Sequence, residues 1–238
     1  MPIPRGLDLN ARFESCALRK TCFLCRMPDE IAKELNFVSV SSVYKPRRTL
    51  FAENQAPRGA FILCEGEAKL FITSSTGKTL ILRIAEAGEI LGLTAALSGR
   101  AYIHTAETIT PCHIGFVRRE DLIRLVIAHP QALQPIVEQL TVNYEAACDQ
   151  LRLVALASSA SAKLARLLLE WHSYAEHAHR TNVAPANLTH EEIAEFIGTS
   201  RETVTRTLNE FRERQLIHID GSAVTVTDRA GLEAIVAA

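Results

Sequence analysis

Thr189-His190-Glu191-Glu192-Ile193-Ala194-Glu195-Phe196-Ile197-Gly198-Thr199-Ser200-Arg201-Glu202-Thr203-Val204-Thr205-Arg206-Thr207-Leu208 is the stretch whose reading decides the fold. Thr189 followed three positions later by Glu192 is a capping box, the N-cap hydroxyl and the Glu carboxylate each satisfying an orphan amide of the other residue. A short helix follows with Ile193, Phe196 and Ile197 on its inner side, and Gly198 ends it. Thr199-Ser200-Arg201-Glu202 then opens a second helix with Val204, Leu208 and Phe211 on the buried side. Two short helices joined by a tight glycine turn form a helix-turn-helix. Downstream, Leu216-Ile217-His218-Ile219 and Ala223-Val224-Thr225-Val226 flank Asp220-Gly221-Ser222, which predicts a β-hairpin wing.

The outward residues of the second helix are matched to the edges of base pairs. Arg201 and Arg206 can each donate a bidentate pair to guanine O6 and N7, Glu202 can accept from cytosine N4, and Thr205 can set its methyl against thymine. Ser200 and Thr203, with amides at a helix start, suit a phosphate. Alternating Arg and Glu occur on many solvated helices. Here they come together with two caps, a glycine turn and a wing, and that combination favours DNA reading.

Before this region lies a different texture. After His129-Pro130, residues Leu133, Val137, Leu140, Tyr144, Ala147, Leu151 and Val154 recur at steps of 4, 3, 4, 3, 4 and 3. That is an uncharged a/d seam lasting three heptads, stricter than the broad stripe of an ordinary core helix. A lone seam needs a partner helix, and the simplest partner is a second copy of the chain, giving a two-fold homodimer. From Val43 to about Val117 short β-like runs are punctuated by Gly66, Gly77, Gly88 and Gly99, a spacing of eleven that predicts a β-barrel or sandwich. The expected class is α+β, in four parts: a cysteine-containing segment over 1–30, a β-roll sensor domain over 31–128, a dimerisation helix over 129–158 and a winged helix-turn-helix over 159–238.

Composition sets limits without naming a partner. In 238 residues, 47% are hydrophobic, 22% charged and the net charge is −1, so a nucleic-acid reading rests on local residues. No apolar run approaches the roughly 18–20 residues of a membrane span. Met1-Pro2-Ile3-Pro4-Arg5 lacks the apolar segment of a signal peptide, so a cytoplasmic protein is expected. No nucleophile–base–orienter set, phosphate-binding glycine loop or zincin motif is present, which argues against an enzyme.

Ser200-Arg201-Glu202-Thr203-Val204-Thr205-Arg206 resembles the recognition helix of the Crp/Fnr family of bacterial regulators, and the order β domain, long helix, winged helix-turn-helix matches from about residue 30 to the end. The resemblance implies a cyclic-nucleotide-binding-like β-roll, a homodimer joined by the long helix, a palindromic double-stranded DNA operator and contact with RNA polymerase. It places Arg201, Glu202 and Arg206 at base-reading positions of the Crp-type helix and implies a TGTGA-like half-site. Fnr-type helices share the Glu, a Ser or Thr where Thr205 stands, and the final Arg, but lack the first Arg; a TTGAT-like half-site is the second expectation.

In family members that bind cyclic nucleotides, the segment matching Gly88-Glu89-Ile90-Leu91-Gly92-Leu93-Thr94-Ala95 carries a ribose-binding Glu and a following Arg-Ser pair. Here Leu93 replaces that Glu and Arg100 precedes Ala101, so a cyclic nucleotide is not the expected effector. Cys16, Cys22 and Cys25 form C-x5-C-x2-C, and Cys112 lies after Pro111. Fnr-type oxygen sensors hold a [4Fe–4S] cluster on three N-terminal cysteines and one in the β-roll. Their N-terminal spacing is C-x2-C-x5-C: Cys16 and Cys22 match the last two ligands, Phe13 stands at the first, and Cys25 is an additional thiol. The resemblance thus implies sensing of oxygen, nitric oxide or redox state by a cluster on Cys16, Cys22, Cys25 and Cys112. A zinc site on the same thiols, a thiol–disulfide switch, unconnected thiols and a small organic effector in the β-roll are the competing readings. A small Fe–S electron carrier is a distant one, opposed by the helix-turn-helix. Cys64 and Cys148 read as small buried hydrophobes.

Overall fold

The computed structural model describes residues 28–177, 188–221 and 223–237. In chain order the elements are α1 (Asp29–Val38), β1 (Ser39–Tyr44), β2 (Thr49–Phe51), β3 (Gly59–Glu65), β4 (Glu67–Thr73), β5 (Thr79–Glu86), β6 (Ile90–Leu91), α2 (Leu93–Ser98), β7 (Thr105–Thr108), β8 (Cys112–Arg118), α3 (Arg119–Ala128), α4 (Leu133–Leu156), α5 (Ala160–His177), α6 (His190–Ile197), α7 (Arg201–Glu213), β9 (Ile217–Asp220), β10 (Ala223–Val226) and α8 (Arg229–Ala237). They fall into two compact units, one ending at Ile72 and resuming over Ile84–Glu145, the other made of Thr73–Arg83 and Ala146–Ala238. The mixed helix-and-sheet class, with a β-roll, a long helix and a C-terminal helix-turn-helix, is the one expected from the sequence.

The first unit holds the β-roll except for Thr73–Arg83, the end of β4 and most of β5, which belong to the second. The strands form two four-stranded sheets, ordered β1-β8-β3-β6 and β2-β7-β4-β5. Successive side chains of a strand point to opposite faces, and in β3 both faces are buried. Ala60 and Ile62 pack with Ile31, Leu35, Leu93 and Ile136 of the helices. Phe61 and Leu63 pack with Phe51, Leu70, Tyr102 and Ile114 between the sheets. Gly66, Gly77, Gly88 and Gly99 have φ of +91°, +81°, +104° and +74°, so the eleven-residue spacing does mark the turns. At Gly66 space is as restrictive as conformation: a Cβ there would lie 2.5 Å from the Pro111 carbonyl and 2.7 Å from Cys112 Sγ.

Helix α4 runs for 24 residues, and Pro135 sits in its first turn, where no intrahelical amide bond is lost. Ile136, Gln139, Gln150 and Leu153 are buried. The heptad positions lie on the other side: Val137 is 57% exposed, Tyr144 71% and Leu151 68%, while Leu140 and Val154 are half-buried. The helix stops at Leu156, just before the Ser158-Ser159-Ala160-Ser161 stretch expected to end it.

The second unit packs α5, α6, α7 and α8 with the β9–β10 hairpin around Leu164, Leu168, Phe196, Leu208, Phe211 and Leu232. Trp171 meets Phe196 edge-on, with ring centroids 5.6 Å apart. Within the same unit the buried Gln150 amide donates to the carbonyls of Ile81 at 2.8 Å and Phe196 at 2.7 Å. A buried carbonyl stripped of its donor costs ~1–3 kcal/mol, so Gln150→Leu is expected to destabilise by about that amount in urea titration. An unchanged midpoint would show that water replaces the amide. Gly66→Ala and Gly77→Ala both meet backbone strain of ~1–3 kcal/mol, but a Cβ at Gly77 meets nothing within 4 Å. Gly66→Ala is therefore expected to lower the denaturation midpoint further, and equal losses would remove the role assigned to the close approach at Pro111.

Candidate nucleic-acid interface

The turn between α6 and α7 is fixed by its own polar groups. Thr189 accepts from the Glu192 amide at 3.2 Å, and the Glu192 carboxylate accepts from the Thr189 amide at 3.0 Å, so the capping box is formed. Gly198 is left-handed at φ +65°, ψ +40°, and the Thr199 amide reaches back to the Ala194 carbonyl at 3.0 Å, closing the end of α6. Ser200 is the N-cap of α7, its hydroxyl oxygen accepting from the Thr203 amide at 3.3 Å. This corrects one detail of the expected phosphate site: the Thr203 amide is already satisfied by Ser200. A phosphate contact at this end falls to the hydroxyls and to the amides nearer the helix tip.

The faces of α7 divide cleanly. Val204, Thr207, Leu208 and Phe211 are buried. Arg201, Glu202, Thr205, Arg206, Asn209, Glu210 and Glu213 lie together on the other side. The predicted base-reading residues Arg201, Glu202, Thr205 and Arg206 are therefore brought together, with Ser200 and Thr203 at the helix start. Asn209 was missed although its signal was present, since it lies four residues beyond Thr205 and eight beyond Arg201, on the same helical face.

Local chemistry prepares several of these groups. The Glu202 carboxylate is held below the usual carboxylate range, first by its own backbone amide and then by the Ser200 hydroxyl. It is thus an ionised acceptor near neutral pH. The Thr205 hydroxyl donates to the Arg201 carbonyl at 3.0 Å and also meets His190 Nδ1 at 2.9 Å. With the hydroxyl occupied, the methyl is the group Thr205 has left to offer. Arg206 makes a long, exposed ion pair with Glu210 at 3.8 Å, of the kind that contributes little and exchanges readily. Arg201 has no acidic partner closer than ion-pair distance among the described residues.

The thiol set does not assemble in the same way. Cys16, Cys22 and Cys25 lie outside the described residues. Cys112 is fully buried in the inter-sheet core, and its thiol donates to the carbonyls of Glu67 and Thr110, both at 3.3 Å. Burial pushes that thiol up to about 11. A metal or cluster takes the thiolate, so a ligand role would require Cys112 to ionise and to leave these two carbonyls. No group of three or more His, Cys, Asp or Glu among the described residues is placed to hold a metal ion. Cys64 and Cys148 are half-buried, and Cys64 packs against the helix-side core as a small hydrophobe. Leu93, at the ribose-binding position, is buried in that same core, whereas Arg100 and Ala101 are exposed. No helix among the described residues is long and apolar enough to cross a membrane.

Residues 42–129 match the cyclic nucleotide-binding domain family, and residues 162–235 match the Crp-like helix-turn-helix domain family. The chain is 27% identical over 224 residues to the transcriptional activatory protein AadR of Rhodopseudomonas palustris, covering 94% of this chain and 92% of that protein. It is 25% identical over 234 residues to the nitrogen fixation regulation protein FixK of Bradyrhizobium diazoefficiens, covering 98% and 97%. Among solved structures it shares the fold of FixK2 from Bradyrhizobium japonicum, with a TM-score of 0.70 at 20% identity over 84% of this chain and 98% of that one. The two domain matches, in this order and joined by the long helix, make the chain a member of the Crp/Fnr family of DNA-binding transcription regulators.

Proposed function

We propose that the chain binds a palindromic operator as a homodimer and reads each half-site with α7. The observation that carries this reading is the single exposed face holding Arg201, Glu202, Thr205, Arg206 and Asn209. Arg201 and Arg206 each take a guanine, Glu202 a cytosine amino group and Thr205 a thymine methyl, which corresponds to a TGTGA-like half-site, with TTGAT-like as the alternative. The wing formed by β9 and β10 and the start of α7 hold the phosphate backbone. RNA polymerase is the further partner that family membership implies.

The homodimer is supported by the exposed, uncharged seam of α4. A stripe carrying Leu133, Val137, Tyr144 and Leu151 at heptad spacing leaves large apolar side chains in water unless a second helix covers them. Two-fold symmetry then presents two α7 helices to two half-sites.

Sensing of oxygen, nitric oxide or redox state by a [4Fe–4S] cluster on Cys16, Cys22, Cys25 and Cys112 is the finer reading that the cysteine pattern supports. It requires Cys112 to leave its carbonyl partners and the apolar core. A small organic effector held in the β-roll is the second reading, favoured by an aromatic groove in the first unit.

Arg206→Ala is expected to lose ~1–3 kcal/mol of operator affinity and to relax specificity at one base pair. Binding of both proteins to a set of single-base operator variants measures this, and uniform weakening on every sequence would make Arg206 a phosphate contact instead. The seam carries no charge, so the protein freed of metal is expected to sediment as a dimer at micromolar concentration. A reversible monomer under those conditions would overturn the seam assignment.

A further inference from the structure

The first unit contains a groove of about 670 Å³ at one end of the gap between its two sheets. Its floor is a run of aromatic rings. Tyr102 stacks on Phe51 with centroids 4.1 Å apart and planes 20° from parallel, Phe51 meets Phe61 at 5.5 Å, and Phe61 meets Phe116 at 4.9 Å. Tyr102 is fixed as part of the wall, because its hydroxyl donates to the Gly59 carbonyl at 2.8 Å and faces the Gly59 amide at 3.4 Å. A groove of this size, apolar below and polar at its rim, can accommodate a small molecule.

The rim is cationic. Arg58 precedes Gly59, and Gly59 lies opposite Arg118 in the β3–β8 ladder, so the two arginines belong to neighbouring backbone positions at one end of the sheet. Both side chains are exposed and line the groove, and neither has an acidic partner among the described residues. Elsewhere in the chain Lys69 pairs with Glu107, Arg124 with Asp121, Arg152 with Asp149 and Arg166 with Glu170. Two arginines without acidic partners at the rim of an aromatic groove can take an anion without breaking an existing ion pair.

The backbone around the groove narrows the kind of anion. Phosphate sites recruit free amides of helix starts or nests. Here several of the surrounding amides are spent: Asn54 donates to the Tyr102 carbonyl, Gln55 to that of Ala52, Tyr102 to that of Gln55 and Arg119 to that of Arg58. Charge recognition is left to guanidinium forks, which match a planar carboxylate, while the floor takes a flat apolar body by stacking. The groove does not include Leu93 or Arg100 of the segment that matches the family's nucleotide-binding stretch.

We propose that this groove is the effector site of the sensor domain and that its ligand is a flat aromatic carboxylate, with the ring on Phe61 and Phe116 and the carboxylate between Arg58 and Arg118. The proposal rests on the reading of the chain as an effector-controlled regulator, but binding at the groove is measured without DNA, so the two fail separately.

The test is calorimetric titration of the full-length protein with benzoate, cinnamate and 2-naphthoate, with the corresponding neutral amides and cyclic AMP as controls. At least one carboxylate is expected to bind with its amide inert, and Arg58→Gln and Arg118→Gln are each expected to weaken it ten-fold or more. Ser42→Phe, which fills the groove from β1 without removing a charge, is expected to abolish binding. Operator binding by all three variants confirms that they are folded. No heat with any carboxylate, equal affinity in the arginine variants, or binding of cyclic AMP alone with loss on Arg100→Gln would overturn the assignment.

Discussion

The surface proposed to read DNA depends on the anchoring of one face of α7. Val204, Leu208 and Phe211 are each exposed by about 1% or less, and burying side chains of this size contributes ~1.5–3 kcal/mol apiece. That burial sets the rotation of the helix about its axis, and rotation decides which side chains reach solvent. Arg201, Glu202, Arg206 and Asn209 are exposed together because their helical neighbours are committed to the core. The left-handed turn at Gly198 and the Ser200 cap set where the helix begins. The buried Gln150 amide supports the same end of α6 by satisfying the Phe196 carbonyl.

Helix α4 shows how one sequence period serves two purposes. Its heptad positions carry the exposed apolar stripe, while Ile136, Gln139, Gln150 and Leu153 occupy the side turned into the protein. Placing two glutamines there, rather than on the seam, keeps the exposed stripe free of polar groups that would need partners across an interface. A buried amide must find its hydrogen bonds within the fold, and Gln150 does so on two carbonyls.

The sensor domain combines a widely used scaffold with local substitutions. Leu93, at the position the family resemblance assigns to a ribose-binding Glu, is part of the helix-side core, where burial of its apolar side chain is favourable. Cys112 is likewise treated as core, protonated and hydrogen-bonded to carbonyls. The arginine rim above the aromatic floor has no acidic partner among the described residues, and the ligand chemistry proposed there rests on charge and shape rather than on a motif.

Local signals were legible in the sequence wherever the physics is local. Caps, glycine turns and helical periods act over a few residues, so the capping box at Thr189, the turns at Gly66, Gly77, Gly88 and Gly99 and the exposed polar face of α7 are legible in the sequence itself. The missing member of that face, Asn209, carried the same periodic signal. Tertiary structure decided what depends on residues far apart in the chain. The burial of Cys112 comes from strands that pack around it, and no spacing of cysteines reveals whether a thiol can ionise. The occupation of the Thr203 amide by Ser200 is a choice between two acceptors, protein or phosphate, that only geometry settles. The groove unites Phe51, Phe61, Tyr102 and Phe116 with Arg58 and Arg118, residues brought together by strand pairing across some sixty positions of sequence, because cavities are made by packing and packing is long-range.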